Sequence, residues 1–347
     1  MRLILLIILT ISSLHLNAQY NHEFGGSIGS SNYLGDIGGE LQQGRQISPL
    51  DLKIKAQRFT SNAYYRYKLN KDISLRGSLV YTRLYGNDAL TSNPDRRTRN
   101  LSFKTDVVEL LPTVEFNFFQ LTRMTPMILD TNIRIKRRDF RTFIFMGIGV
   151  IYFNPKAELL GKNYNLRPLR TEGVSYSPFT WVVPVGFGLS YTINKKWRFG
   201  LDMSYRITGS DWIDDVSGNY NVSYSDGAKG YSSVKSGSTN ENDIRLALGN
   251  RTSEVQSFHA TDKGYNSNLS TGDNYDVTSK GGTPRGGSYV SGVSVSEKAR
   301  FSRKDGYMTL NLSIGYVLRG KNKYYREKIR NIRNRRKIVK EKTGAKF

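Results

Sequence analysis

The sequence predicts an all-β protein, an eight-stranded antiparallel transmembrane β-barrel with a basic helical tail at its C-terminus. Three observations predict it: an N-terminal export signal, a series of segments with period-two alternation, and connections that alternate between short and long. A small outer-membrane barrel has this pattern, with alternating strands, tight turns on one side and long loops on the other.

The first element is not part of the fold. Arg2 precedes an apolar run from Leu3 to Leu16, broken only by Thr10, Ser12, Ser13 and His15, and then comes Leu16-Asn17-Ala18. A charged start, a short apolar core and a small residue at the end make a secretory signal, too short to span a bilayer. Residues 1–18 are assigned to it, and the exported chain is expected to start near Gln19.

Eight strands follow in order. Tyr20–Ser30 sets Phe24, Gly26 and Ile28 against Glu23, Gly25 and Ser27. Phe59–Leu69 sets Ala63, Tyr65 and Tyr67 against Asn62, Tyr64 and Arg66. Ile73–Leu84 opposes Leu75, Leu79 and Tyr81 to Arg76, Ser78 and Thr82. Lys104–Phe119 opposes Val108, Leu110, Val114, Phe116 and Phe118 to Glu109, Thr113, Glu115 and Asn117. Phe140–Tyr152 places Ile144, Met146, Ile148 and Val150 against two Phe and two Gly. Phe179–Tyr191 places Val183, Val185, Phe187 and Leu189 against Gly186, Gly188 and Ser190. The strands from Trp197 and Tyr307 are the purest: Trp197, Phe199, Leu201, Met203, Tyr205 and Ile207 share one face, and Met308, Leu310, Leu312, Ile314, Tyr316 and Leu318 another. Such alternation marks strands with one apolar and one polar face.

A soluble sandwich would alternate too, but it would put large apolar groups inside. Here the polar face carries Glu23, Arg66, Arg76, Glu109, Glu115, Arg198, Asp202 and Arg206. Burying eight mixed charges in a sandwich core is costly. Inside a narrow barrel they can pair, while the apolar face meets lipid.

Asn70-Lys71-Asp72 and Asn194-Lys195-Lys196 read as tight turns, and 31–58, 85–103, 153–178 and 208–306 as long loops. Segment 120–139 is the misfit: it falls where a short turn is expected and reads as a longer connection. An even strand count places both chain ends on the periplasmic side and the long loops outside. Within 208–306, Tyr220–Tyr224 and Tyr289–Val295 alternate again, so ten strands are possible. The domain reading is thus 1–18 signal, 19–318 barrel, and 319–347 periplasmic tail.

Composition narrows the function. The 347 residues hold 52 Lys+Arg against 29 Asp+Glu, a net charge of +23, and no Cys. That excludes a disulfide scaffold and thiolate metal sites, and points to an anionic surface or partner. With 12% aromatics the chain is too aromatic for disorder, and a mean hydropathy of −0.49 excludes a helical membrane bundle. Past the signal the only histidines are His22 and His259, and neither has a Ser or Asp at suggestive spacing, so no catalytic residues and no enzymatic activity are expected. No cofactor is expected. Asp211, Asp214 and Asp215 could offer carboxylates to calcium, but not at EF-hand spacing; the reading taken is an acidic start to the loop, with Trp212 at the aromatic girdle and no metal. Gly25-Gly26-Ser27-Ile28-Gly29 and Gly186-Phe187-Gly188 open no helix and are read as making room in the lumen for charged side chains.

Charge concentrates in the tail. From Arg319 onward there are 13 Lys+Arg against 2 Asp+Glu, and segment 120–141 adds six against two. The tail reads as a helix from about Lys321 to Glu341 with a narrow apolar stripe. Two roles fit it, lying on anionic headgroups or docking a protein. The expected partner contacts are Arg326, Ile329, Ile332, Arg333, Arg335, Arg336 and Lys337. Nucleic acid is not an expected partner of an exported chain.

Several strings resemble a known family. Asn32-Tyr33-Leu34-Gly35-Asp36 is similar to the opening of the PorG-like outer-membrane barrels. So are Phe153-Asn154-Pro155-Lys156-Ala157, Val183-Pro184-Val185-Gly186-Phe187-Gly188, Asp214-Asp215-Val216-Ser217-Gly218 and Pro284-Arg285-Gly286, in that order along the chain. The resemblance implies a non-enzymatic outer-membrane barrel that anchors or organises a periplasmic ring of lipoprotein and partner subunits in type IX protein secretion. It brings no catalytic residues. The alternative is a small outer-membrane transport protein or a receptor that binds an extracellular ligand through its long loops.

Overall fold

The computed structural model describes residues 22–37, 54–70, 72–90, 99–129, 132–194, 196–217, 221–222, 224–259 and 304–318. The signal 1–18, Tyr289–Val295 and the tail 319–347 lie outside them. The strands are β1 (His22–Leu34), β2 (Arg58–Lys68), β3 (Ile73–Asn87), β4 (Ser102–Leu129), β5 (Asn132–Gly147), β6 (Gly149–Leu159), β7 (Lys162–Asn165), β8 (Phe179–Ile193), β9 (Trp197–Thr208) and β10 (Gly306–Leu318). The helices are α1 (Leu166–Leu169), α2 (Tyr224–Lys235), α3 (Glu241–Gly249) and α4 (Thr252–His259).

The strands close into a ring. Pairing runs β3-β2-β1-β10-β9-β8-β5-β4, and β4 pairs back to β3. All pairs are antiparallel. β5 and β6 act as one barrel strand interrupted at Ile148, since both pair with β4 on one side and β8 on the other. The ring therefore has eight staves, as expected, and closure leaves the sheet without an edge. β7 adds only a short hairpin on β6, above the ring. The two chain-terminal strands meet, His22 opposite Leu318 and Leu34 opposite Gly306. Both ends of the barrel chain therefore lie at the end that carries the short turns.

Two expectations about connections are corrected. Segment 120–139 is almost all strand: β4 runs to Leu129 and β5 starts at Asn132, so two residues connect them. The misfit arose because the strands outlast their neighbours. β3 pairs with β4 only as far as Phe116, and the hairpin projects beyond the turn end, where no lumen or apolar surroundings impose alternation. Loop 208–306, read as polar with a possible extra hairpin, holds α2, α3 and α4, and Tyr224 opens a helix rather than ending a strand. Ile244, Ala247 and Leu248 of α3 pack on Ala157, Leu159, Leu166 and Leu169, so the helices cap the β6–β7 extension.

The outward face is apolar. Ile28, Leu79, Leu110, Met146, Val150, Phe187 and Leu312 are each about half exposed or more. Aromatic rings bound the band at both ends: His22, Tyr65, Trp197 and Tyr316 near the turns, and Tyr81, Tyr152, Phe179 and Trp181 near the loops. From Trp197 to Tyr205 is eight residues, which at ~3.4 Å each and a tilt near ~40° makes a band roughly 20 Å tall. An apolar surface of this extent on one molecule requires an apolar cover. Among the described residues no helix is long and apolar enough to cross a membrane, which says nothing of strands.

The lumen is filled in two layers. The eight charges singled out above pair four against four, six of them in the turn half and Glu109 with Arg206 at mid-height, level with Val80, Ile151 and Tyr307. Glu23 meets Arg66 at 2.5 Å and also Arg198. Arg66 reaches Glu115 at 2.7 Å, and Arg76 lies 3.7 Å from Glu115 and 3.8 Å from Asp202. Arg206 meets Glu109 at 2.8 Å, and the Tyr307 hydroxyl donates to the same carboxylate at 2.7 Å. The glycines make room, but for rings rather than charges: a Cβ on Gly25 would lie 2.4 Å from the Tyr64 ring, and one on Gly188 2.4 Å from Phe143.

From about the height of Glu109 toward the loops the lumen is mostly apolar, with Thr60, Thr82 and Thr105 buried among the apolar side chains. Val80, Leu84, Phe103, Val107, Leu111, Ile151, Phe153, Val182 and Tyr307 point inward and pack with Tyr33, Ile37, Leu101, Ile213 and Val216 from the strand ends and loops. Burial of a charge pair is stable only while both members are present. Glu115→Gln, which leaves Arg66 and Arg76 short of a counter-charge, is therefore expected to lower stability by roughly 3–5 kcal/mol. Urea unfolding of the detergent-solubilised barrel, followed by its heat-modifiable migration, measures the loss.

Candidate functional site: the loop-end mouth

The loop end of the barrel gathers two strings that lie some 180 residues apart. Tyr33 and Asp36 come from the end of β1, Asp211, Asp214, Asp215 and Ser217 from the segment after β9, and Asp305 from the residue before β10. β1, β9 and β10 are neighbours in the ring, which is what brings the three segments together.

Each carboxylate has a structural partner. The Tyr33 hydroxyl donates to Asp305, whose other oxygen accepts from the Ile213 amide at 2.9 Å. Asp214 accepts from the Val216 amide at 3.0 Å, and Asp211 from the Ser217 hydroxyl at 2.9 Å. Asp215 sits in the left-handed region at φ 67° and accepts from Thr171 and, at 2.6 Å, from the Tyr176 hydroxyl. Glu172 accepts from the Ser217 amide at 3.3 Å. Nearby, Arg99 grips Asp88 with two nitrogens at 2.7 and 2.9 Å and donates to the Asp36 carbonyl, tying the mouth to the β3–β4 loop. Segments after β1, β3, β7 and β9 are thus stitched to one another over the apolar plug.

Electrostatics here differ from those of the lumen, because carboxylates outnumber cations. Asp214 is wholly buried, and among the described residues neither its Oδ2 nor Asp211 Oδ1 meets a hydrogen-bond partner. Burial, reinforced by Asp36, pushes the Asp211 carboxyl up to about 9. Burial and Asp36 also raise Asp214, and burial with Asp214 and Asp211 raises Asp305. These groups share protons rather than all being charged at neutral pH. Among the described residues no three His, Cys, Asp or Glu side chains are placed to hold a metal ion.

The sequence picked out Asp211, Asp214 and Asp215 but not Asp305, Tyr33 or Glu172 as their neighbours. The signal available was the position of Asp305, directly before the last strand. Trp212 is corrected: it lies in the mouth rather than at the girdle, stacked on Tyr176 at 4.8 Å and 11°, with Tyr176 in turn parallel to Phe153. His22 is exposed on the outer face, its Nδ1 2.7 Å from the Tyr65 hydroxyl, and His259 ends α4. Arg326, Ile329, Ile332, Arg333, Arg335, Arg336 and Lys337 all fall outside the described residues.

A raised carboxyl pKa in the folded state favours folding when the group is protonated. The stability that Asp211 contributes is fully present below its unfolded value near ~4 and is lost as pH rises through about 9. The loop-end structure is accordingly expected to loosen between pH 5 and pH 9, and Asp211→Asn to flatten that dependence. Limited proteolysis of loop 208–306 across this range is the measurement; a wild-type rate that does not rise with pH would contradict it.

The family whose description reads "Domain of unknown function (DUF6089)" matches residues 1–251. No curated protein is similar to the chain in sequence. Solved structures similar to it include the N-terminal β-barrel domain of Pseudomonas aeruginosa OprF, at 8% identity and a TM-score of 0.29 over 87% of this chain and 100% of that one. Another is Ail, the attachment invasion locus protein of Yersinia pestis, at 9% identity and 0.29 over 87% and 100%. The same Ail in complex with the heparin analogue sucrose octasulfate aligns at 11% identity and 0.29 over 86% and 99%.

Proposed function

This chain belongs to the DUF6089 family, and we propose that it is a non-enzymatic outer-membrane barrel that anchors or organises a periplasmic ring or partner of the type IX protein secretion machinery. The observation that carries the reading is the filled lumen. Paired charges occupy the turn half and the middle of the barrel, and a packed apolar cluster the loop half, so among the described residues side chains fill the lumen, and the barrel's role falls to what its two ends hold. That disfavours the transport alternative.

The half-exposed apolar band with aromatic rows supports the membrane placement, and the export signal read at 1–18 supports the outer membrane. The resemblance of the strings around Tyr33, Phe153, Val183 and Asp214 to PorG-like barrels supports the type IX assignment. Both barrel termini lie at the turn end, so the 29-residue basic segment 319–347 follows β10 at the same end of the barrel as the projecting β4–β5 hairpin. Its charge would steer an acidic periplasmic partner and make binding salt-sensitive, with Arg333, Arg335, Arg336 and Lys337 as its densest part and Ile329 and Ile332 as anchors.

Deleting residues 321–347 removes no strand, so heat-modifiable barrel assembly is expected to persist while co-purification of the partner and dependent secretion are lost. A truncated chain that still retains the partner would place the contact elsewhere. Orientation is read separately. Ser238→Cys is expected to react with an impermeant thiol reagent on intact cells, and Asn194→Cys only once the outer membrane is opened.

A further inference from the structure

Outside the ring, just above the loop-end aromatic row, lies a polar pocket of about 460 Å³. Its height follows from the register across β3, β4 and β6. Leu79, Leu110 and Val150 form one outward row, and Tyr81, Val108 and Tyr152 the next. Then the chemistry changes: Arg83, Asp106 and Asn154 come next, followed by Tyr85, Lys104 and Lys156. The last row lines the pocket, four residues beyond the last apolar one, or roughly 10 Å higher at ~3.3 Å per residue and a strand tilt near ~40°. A bilayer has its headgroups at that height.

The pocket is rich in cations. Among the described residues Arg58, Lys104, Lys156 and Arg251 line it against a single acid, Glu158. The guanidinium of Arg58 stacks on the Tyr85 ring at 4.0 Å and donates to the carbonyls of Lys55 and Gln57, with no carboxylate partner among the described residues. Lys104 has no partner among them either. Lys156 is only 3.9 Å from an Asp106 that Arg83 already holds at 2.7 Å. Arg251 pairs with Glu254 and donates to Ser102, which fixes it at the upper edge. Asn87 and Ser102 add neutral donors. Held cations without matching carboxylates, beside amide and hydroxyl donors, are what a phosphate group requires.

We propose that this pocket binds the phosphorylated sugar headgroup of an outer-leaflet glycolipid, with Lys104, Lys156 and Arg58 on the phosphate. The inference rests on the outer-membrane reading above and adds a ligand to it. The lipid source is favoured over free phosphate because the pocket opens on the outer wall, directly above the surface that acyl chains would cover, and its volume suits a sugar as well as the phosphate.

The test uses the full-length protein in neutral detergent, titrated by native mass spectrometry with lipid A, with dephosphorylated lipid A and with inorganic phosphate. Lipid A is expected to bind at least tenfold more tightly than its dephosphorylated form. Lys104→Ala combined with Lys156→Ala is expected to lose at least tenfold in affinity, while Lys229→Ala, a charge removed from the exposed face of α2, changes nothing. Unaltered heat-modifiable migration shows that the double variant is folded; should it not be, Lys104→Ala alone serves the same comparison. Equal binding of the two lipids, or an unchanged folded variant, overturns the proposal, as does inorganic phosphate that displaces lipid A with the affinity of the lipid itself. Fractionation of cell envelopes reads location independently. A barrel found in the outer membrane that does not bind overturns this site alone, and one found elsewhere overturns both readings.

Discussion

An eight-stave barrel has an interior only wide enough for side chains, and everything in it must pack and be satisfied. The rest of this structure depends on how Glu23, Glu115 and Glu109 meet that constraint. Each carboxylate is shared: Glu23 by Arg66 and Arg198, Glu115 by Arg66 and Arg76, Glu109 by Arg206 and Tyr307. The residues come from β1, β2, β3, β4, β9 and β10, so the network ties together strands that are not neighbours as well as those that are. Ladder hydrogen bonds close the ring, and the cross-lumen ion pairs keep it from flattening.

The two layers of the interior divide the labour. Glu23, Glu109, Glu115 and Asp202 offset the four arginines Arg66, Arg76, Arg198 and Arg206, and the guanidiniums of Arg76 and Arg206 also lie over the Tyr64 and Tyr307 rings. Higher up, inward Leu84, Val107, Ile151 and Phe153 accept Ile213 and Val216 from a loop that folds back into the mouth. The loop end is therefore an ordinary hydrophobic core built on the rim of a polar one. The carboxylates around Asp214 lie above that core and have too few cations near them, which is why they hold protons where the lumen acids hold arginines.

Much of this was legible in the sequence. The staves were readable because half of each faces an apolar exterior and half a polar interior, and Glu23, Arg66, Arg76, Glu109, Glu115, Arg198, Asp202 and Arg206 all fall on the inward parity that alternation assigns. The upper layer was harder to read, because where the lumen turns apolar both faces of β3, β4 and β6 are apolar and the alternation fades: Val80 and Val107 point inward beside outward Leu79 and Val108. The β4–β5 projection was misread for the opposite reason, having neither kind of surroundings to impose a period. The helices of 208–259 carry Gly227, Gly230 and many serines, a composition that reads as loop. The carboxylate gathering depends on ring closure, which local spacing cannot express, and the basic pocket is assembled from outward residues on three strands together with Arg58 and Arg251 from outside them.

Ring closure also has a kinetic side. The seam joins β1 to β10, whose facing residues Leu34 and Gly306 are 272 positions apart, whereas β2 and β3 are joined by a four-residue turn. Bringing the seam together costs roughly 4 kcal/mol more chain entropy than closing that turn, and nothing is gained until both partners are in register. Hairpins can form early, but the barrel becomes a barrel only in its last step. Until then β1 and β10 present two long unpaired edges, each able to capture another strand. A chain with this topology needs its edges shielded between synthesis and closure, and the thirteen paired residues of the seam make the closed state hard to reopen once reached.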